Sequence, residues 1–341
     1  MKVESETRGP QNPVYEGYFA DPFAWKYGNT YYAVGTGESE AGGRTEAKVF
    51  PLLESSDFLN WRFVGKVLER PDVRLGANFW APAIAAVDER FYLYYSVGHG
   101  DKEHQLRVAI SDEPQGPYRD SGTALIKPAA CAFAIDPHPF QDADGQWYLF
   151  YARDFLDYAH PVRAGTALEV AAMRSMIELE KKGICVMRAR SDWQRFESNR
   201  LMNGRVWDWH TLEGPCVHMH EGRYYCFYSG GRWEDETYGV DYGVADQVTG
   251  PYSDAGSEAG PRVLRTVPGQ LMGPGHNTII TGPDGETEFI CYHAWDREMK
   301  ARRMFLSKLV WTADGPRCAD EVETTNELGA AQPQPRIEGG R

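Results

Sequence analysis

Five times in 341 residues a short strand of small residues leads through a Gly-, Asp- or Glu-rich turn into an aromatic strand. This predicts an all-β chain of five four-stranded antiparallel blades around a central channel, a five-bladed β-propeller. Three observations carry the prediction. Alternation and aromatic enrichment mark strands and not helices. The Gly/Asp turns are hairpin chemistry. The units recur at roughly 55- to 77-residue intervals, enough for four strands with loops.

The first unit is "YFADPFAWKYGNTYYAVGTG" (18–37) and the second "APAIAAVDERFYLYYSVG" (81–98). The third is "DPHPFQDADGQWYLFYARD" (136–154), the fourth "EGPCVHMHEGRYYCFYSGG" (213–231) and the fifth "GPGHNTIITGPDGETEFICYHAW" (273–295). Blades thus start near 20, 80, 135, 212 and 273 of one domain spanning 1–341, with the polar 330–341 end read as a loose tail. Further strands follow each hairpin at 56–65, 104–118, 183–196 and 238–252. In the long third repeat, the stretch from 165 begins as a strand, and Met173–Lys182 is read as a short helix. A β-sandwich is the runner-up, but it does not need a repeated four-strand signature.

Prolines explain the strand starts. Asp21, Ala81, Asp136 and Gly214 each precede a proline. Proline gives no N–H to a ladder and is tolerated on an edge strand or at a strand's first residue. It also keeps the preceding residue extended. Such strands belong beside the channel, where their side chains gather at one end.

Three of these starts carry an acid: Asp21, Asp136 and Glu213. Trp80 and Ala81 stand there in the second repeat and His276 in the fifth. Three carboxylates converging on one pocket repel, which lifts at least one pKa. A raised carboxyl beside an ionised one is what glycoside hydrolysis needs: one protonates the leaving oxygen and the other activates water.

The motifs "YFADPF", "AIDPHPF" and "LEGPCV", with "FWAPAI", "GPGHNTII", "YHAW" and "RRMFLSKLVW", resemble glycoside hydrolase family 43 over roughly residues 12–318. The resemblance implies a five-bladed propeller of inverting enzymes acting on arabinose- and xylose-containing polysaccharides. It implies that Asp21 is the general base, Glu213 the general acid and Asp136 the carboxylate that raises and orients the acid. An inverting pair leaves room for a water, with carboxyl groups about 6.5–9.5 Å apart. His276 matches a channel histidine that in the family often faces a calcium with a mostly water shell. Arg302 matches an arginine that hydrogen-bonds the sugar, and Arg303 is expected to face the other way along a strand. Trp80 matches an apolar platform at the pocket wall. Phe23 and Phe140 continue inner strands and are candidates for sugar contact, with core packing as the alternative, as for Trp25. Tyr228, Trp233 and Tyr292 reach either core or cleft, and Trp207 or Trp209 could shape the leaving-group side.

The leading expectation is an α-L-arabinofuranosidase, followed by a β-D-xylosidase and an endo-arabinanase. A retaining fructosidase is disfavoured because "FADPFA" lacks that class's Asn-Asp-Pro-Asn-Gly start. A non-catalytic binding propeller would show Trp-Asp or Gly-Gly blade signatures and has no need for three acids at a channel mouth.

Bulk properties narrow the partners. The net charge of −13 argues against nucleic acid and suits a neutral carbohydrate. Ten Trp, 19 Tyr and 15 Phe exceed what sugar platforms need, so most are expected in the core. Six cysteines form no CxxC pair and read as buried free thiols, not a zinc or redox site. No apolar run reaches spanning length, which excludes a membrane partner of that kind. The polar start "MKVESETRGP" lacks an apolar signal core, giving a cytoplasmic expectation unless a leader was removed.

Overall fold

The computed structural model describes residues 10–38, 46–127, 129–202, 204–254 and 260–319. The expected loose tail at 330–341 lies outside the described residues. Those described form five sheets, each built outward from an inner strand. The inner strands are Ala20–Tyr27, Asn78–Val87, Ala134–Gln141, Leu212–His220 and Met272–Thr281. Neighbouring inner strands pack against one another around a ring, and the fifth meets the first. The chain's start helps to close it: Val14 N–H donates to the Met304 carbonyl at 2.9 Å, and Phe19 N–H to the Arg302 carbonyl at 2.8 Å.

Blades 1, 2 and 5 are plain four-stranded antiparallel sheets. Blade 4 has three strands, its outer edge reduced to two bridges, Val240 with Leu264 and Val244 with Ser253. Blade 3 is larger. Its third strand, Gly165–Ser175, runs into the start of the stretch expected to be helical, and the chain then turns back at Glu178–Leu179. Tertiary packing overrides local propensity here: Met173 and Met176 are buried in the cluster between blades 2 and 3. Blade 3 also extends a hairpin, Arg195–Met202 with Arg205–His210, that leads into the inner strand of blade 4.

Five hydrophobic clusters fill the five gaps between blades. This is where most of the aromatic content goes. Tyr94, Tyr95, Tyr118, Tyr151 and Tyr228 are fully buried there, and so are Phe91, Phe150 and Phe227. Such rings supply much of the burial energy of a core. The cysteines are free, but only Cys216, Cys226, Cys291 and Cys318 are buried; Cys131 is half-buried and Cys185 exposed.

The Asp-Pro starts are β-bulges. Each inner strand slips register against its neighbour where its motif lies: Ala20/Phe23, Trp80/Ala83, Glu213/Cys216 and Gly275/Thr278, with the matching slip in blade 3 opposite Phe150/Ala152. One residue in each bulge is left-handed: Asp21 (φ 49°), Ala81 (48°), Asp136 (58°), Gly214 (56°) and His276 (50°). For a residue with a Cβ this costs roughly 1–2 kcal/mol. Bulges re-aim side chains beside functional sites, and backbone strain collects there.

What holds the bulges is a relay of hydrogen bonds from blade to blade. Asp21 N–H donates to His293 Nδ1 in blade 5 (3.0 Å), and Ala81 N–H to Thr36 Oγ1 in blade 1 (2.8 Å). Gly214 N–H donates to Asp136 Oδ2 in blade 3 (2.8 Å), and His276 N–H to Ser229 Oγ in blade 4 (2.7 Å). A buried N–H must find an acceptor, and in four of the five bulges the preceding blade supplies it.

Candidate active site

A cavity of about 590 Å³ takes Asp21, Asp136, Glu213 and His276 into its lining. Residues far apart in the chain meet here because every inner strand brings its bulge to the same end of the channel. Glu213 sits one residue before the left-handed position, which Gly214 occupies in its blade. It therefore enters the cavity from a different register than Asp21 and Asp136. Glycine at 214 matters because a Cβ there would lie 3.1 Å from the His276 ring.

The three acids have unlike surroundings. Asp21 Oδ1 is 3.3 Å from Arg302 Nη1, 3.3 Å from His293 Nδ1 and 3.6 Å from His276 Nδ1. Burial, the largest single influence, pushes its pKa up; Arg302 leads the groups that oppose it, and together they hold the carboxylate well below its ordinary range. His293 Nδ1 already accepts the Asp21 N–H, so the ring is neutral, and burial lowers its pKa to about 4.

Glu213 accepts a 2.7 Å hydrogen bond from Tyr238 Oη. Burial lifts its pKa to about 7; the Tyr238 bond opposes the rise, the Asp21 charge adds to it and Arg302 opposes it. Asp136 is raised as well, by burial first and then by Glu213 and Asp21, against the Gly214 N–H and Arg302. The proton is thus kept by the Asp136–Glu213 pair, not by Glu213 next to a fully ionised Asp136. At neutral pH the cavity holds one firmly ionised carboxylate and a carboxyl pair that retains a proton.

Arg302 is the central cation. Its Nη2 and Nε donate to Tyr18 Oη at 2.9 and 3.2 Å, and its guanidinium lies 4.6 Å from the centre of the Trp233 ring. Arg303 pairs instead with Asp296 (3.0 Å) and Glu16 (3.5 Å), on the opposite face of the strand. Trp80 lines the cavity with its ring stacked on His104, centroids 3.9 Å apart.

Two expected wall residues are elsewhere. Phe23 packs between blades 1 and 2 beside Trp25, and Phe140 packs edge-on against Phe150 and Tyr224. Both lie further along their inner strands than the bulge, so they face the gaps between blades and not the cavity. Trp233 and Trp209 line the cavity; Tyr228, Tyr292 and Trp207 are buried in packing.

The calcium expected near His276 has a mostly water shell and so asks for few protein ligands. Calcium takes six to eight oxygens, while His276 offers nitrogen. Of the nearby carboxylate oxygens, Asp21 Oδ1 accepts from Arg302 and Asp136 Oδ2 accepts from the Gly214 N–H. Among the described residues no group of three or more His, Cys, Asp or Glu is placed to hold a metal ion. The described residues thus form no all-protein calcium cage, and no step below uses the ion.

The family model for Glycosyl hydrolases family 43 matches residues 10–316. The chain belongs to this family. Family 43 relatives differ in their named activities. A β-D-galactofuranosidase of Aspergillus niger is 28% identical over 298 residues, 83% of this chain and 75% of that protein. An extracellular endo-α-(1→5)-L-arabinanase of Bacillus subtilis is 26% identical over 314 residues, 87% and 86% of the two chains. The crystal structure of a thermostable family 43 glycoside hydrolase superposes with a TM-score of 0.76 at 24% identity, covering 97% of this chain and all of that one. The likeness confirms the propeller, and family membership makes the chain a glycoside hydrolase.

Several residues that line or brace the cavity escape a sequence reading. His293, Thr36 and Ser229 all stand near the ends of aromatic strands, in "YHAW", "VGTG" and "YSGG". Aligning those strand ends would have found them. Tyr18, Tyr238, Phe196, Arg200 and Asp154 also line or brace the cavity. No periodicity marks them: Tyr18 and Tyr238 come from loops, Phe196 and Arg200 from the blade 3 hairpin, and Asp154 from near the end of that blade's second strand.

Proposed function

We propose that the protein is an inverting glycosidase that releases α-L-arabinofuranosyl groups from arabinose-containing plant oligosaccharides or polysaccharides. The observation that carries the reading is the convergence in one cavity of Asp21, paired with Arg302, and the buried carboxyls of Asp136 and Glu213. In this reading Asp21, locked as carboxylate by Arg302, takes a proton from a water as that water attacks the anomeric carbon. Glu213 gives its proton to the departing glycosidic oxygen. Asp136, itself raised by burial and by Glu213, shares in holding that proton near neutrality and accepts the Gly214 N–H next to the acid. Trp80 offers a face for a sugar ring, and Arg302 offers donors to the sugar.

The choice of arabinofuranoside over xyloside rests on family likeness, and the galactofuranosidase relative supports a furanose ring. Initial rates on aryl α-L-arabinofuranoside, β-D-galactofuranoside and β-D-xyloside should rank the arabinofuranoside first. Proton NMR of the first product should show the inverted anomer. Retained configuration would sink the two-carboxyl displacement, and a xyloside preference would leave the mechanism but change the substrate.

Rate against pH should fall as pH rises through about 7, where Glu213 loses its proton. The Tyr238 hydroxyl stabilises ionised Glu213, so Tyr238→Phe should move that limb to higher pH by about half to one unit. An unmoved limb with a lowered rate would reduce Tyr238 to packing.

A further inference from the structure

The blade 3 side of the cavity has chemistry that the displacement step does not use. Trp209, Thr211 and Glu213 follow at alternate positions, and all three line the cavity. Beside them stand Phe196 and Arg200 from the hairpin and Asp154 from the second strand of the blade. The Arg200 guanidinium lies 5.0 Å from the Phe196 ring and 5.7 Å from the Trp209 ring. Its Nη2 reaches Asp101 Oδ2 in blade 2 at 3.1 Å and so ties the hairpin to the neighbouring blade. The Asp154 side chain is half-buried in the cavity wall, and no described residue hydrogen-bonds its carboxyl. Burial pushes Asp154 up to about 7, Arg200 opposing and Asp101 adding to the shift.

The cavity therefore has two chemically distinct sides. Asp21, Arg302 and Tyr18 belong to blades 1 and 5 and the segment joining them. Glu213 opens blade 4 directly after the blade 3 hairpin. In an inverting displacement, water arrives on the side of the base and the leaving group departs on the side of the acid. The leaving group is thus directed toward Trp209, Arg200 and Asp154. Aromatic rings, a planar array of donors and a free acceptor together suit a second sugar ring: C–H faces stack and adjacent hydroxyls pair with guanidinium and carboxyl.

Resting on the proposed hydrolase reading, we propose that Asp154 and Arg200, framed by Phe196 and Trp209, form a subsite for the leaving-group sugar, and so favour glycosides whose leaving group is itself a sugar. Asp154 accepts from one hydroxyl of that sugar and Arg200 donates to its neighbour. The Arg200–Asp101 pair holds the wall in place.

The test compares an aryl glycoside, whose leaving group has no hydroxyls to bind, with the disaccharide carrying the same glycone, using whichever glycone the wild type releases. Asp154→Asn and Arg200→Ala should each lower the ratio of disaccharide to aryl kcat/KM by roughly tenfold or more, the scale of one lost hydrogen bond to a charged group. Arg200→Lys should recover part of the ratio. Circular dichroism and melting curves show whether each variant is folded, and the near-isosteric Asp154→Asn keeps the test open if Arg200→Ala fails to fold. An unchanged ratio, with both substrates slowed together or neither slowed, overturns the subsite. A wild type that cleaves neither substrate would overturn the hydrolase reading instead, so the two failures are distinct.

Discussion

Asp21→Asn should abolish nearly all turnover, by roughly 10³-fold or more, the scale of a lost general base, while circular dichroism stays that of the wild type. Asparagine keeps the shape and can still meet Arg302, but it cannot take a proton from water. The change reaches further, because the Asp21 charge helps to raise both Asp136 and Glu213. Removing it should shift the residual rate's alkaline limb to lower pH. Stability has a defined sign as well. The folded pKa of Asp21 lies below its unfolded value near 3.9. Its contribution is therefore present above that pH and lost as pH falls through the folded value. At pH 7 the variant should melt below the wild type, and the gap should narrow in acid. A folded variant with near-wild-type rate would remove Asp21 as the base.

Glu213→Gln should show a loss that depends on the leaving group. A disaccharide or an unactivated alkyl glycoside needs protonation at the departing oxygen, and its rate should fall by roughly 10²–10⁴-fold. A dinitrophenyl glycoside leaves without a proton and should lose far less. The alkaline limb near pH 7 should vanish with the group that causes it. Stability should move opposite to that of the Asp21 variant. A carboxyl whose folded pKa is raised costs stability above that pKa, and the cost disappears as pH falls below the unfolded value. Glu213→Gln should therefore melt at or above the wild type at pH 8, losing this advantage near pH 4. Equal losses on both leaving groups would mean that Glu213 is not the acid.

Much of the architecture was legible because propeller blades are local. Each hairpin is written as a contiguous small-residue strand, turn and aromatic strand, so the units could be read one at a time. Asp21-Pro22, Asp136-Pro137 and Gly214-Pro215 marked the channel edge because a proline has few other places in a sheet. The blade 3 stretch from Met173 was misread as a helix because its mixed Met, Glu and Lys composition suits one locally. Instead Met173 and Ser175 pair with Leu179 and Glu178 across a tight turn, and the buried Met173 and Met176 side chains hold that turn against blades 2 and 3. Phe23 and Phe140 were misplaced for a related reason: a strand shows which residues alternate, not where a bulge shifts the alternation.

From its sequence alone this protein was settled as a repeated β chain with three acids at inner-strand starts and a family 43 pattern across them. Those are properties of short stretches and of their recurrence. Tertiary structure alone decided how the acids differ. Asp21 is held ionised because Arg302, 281 positions away, reaches its carboxylate. Glu213 and Asp136 keep a proton because blades 3 and 4 bury them together. Charge states follow from distance and desolvation, and both exist only once the ring has closed.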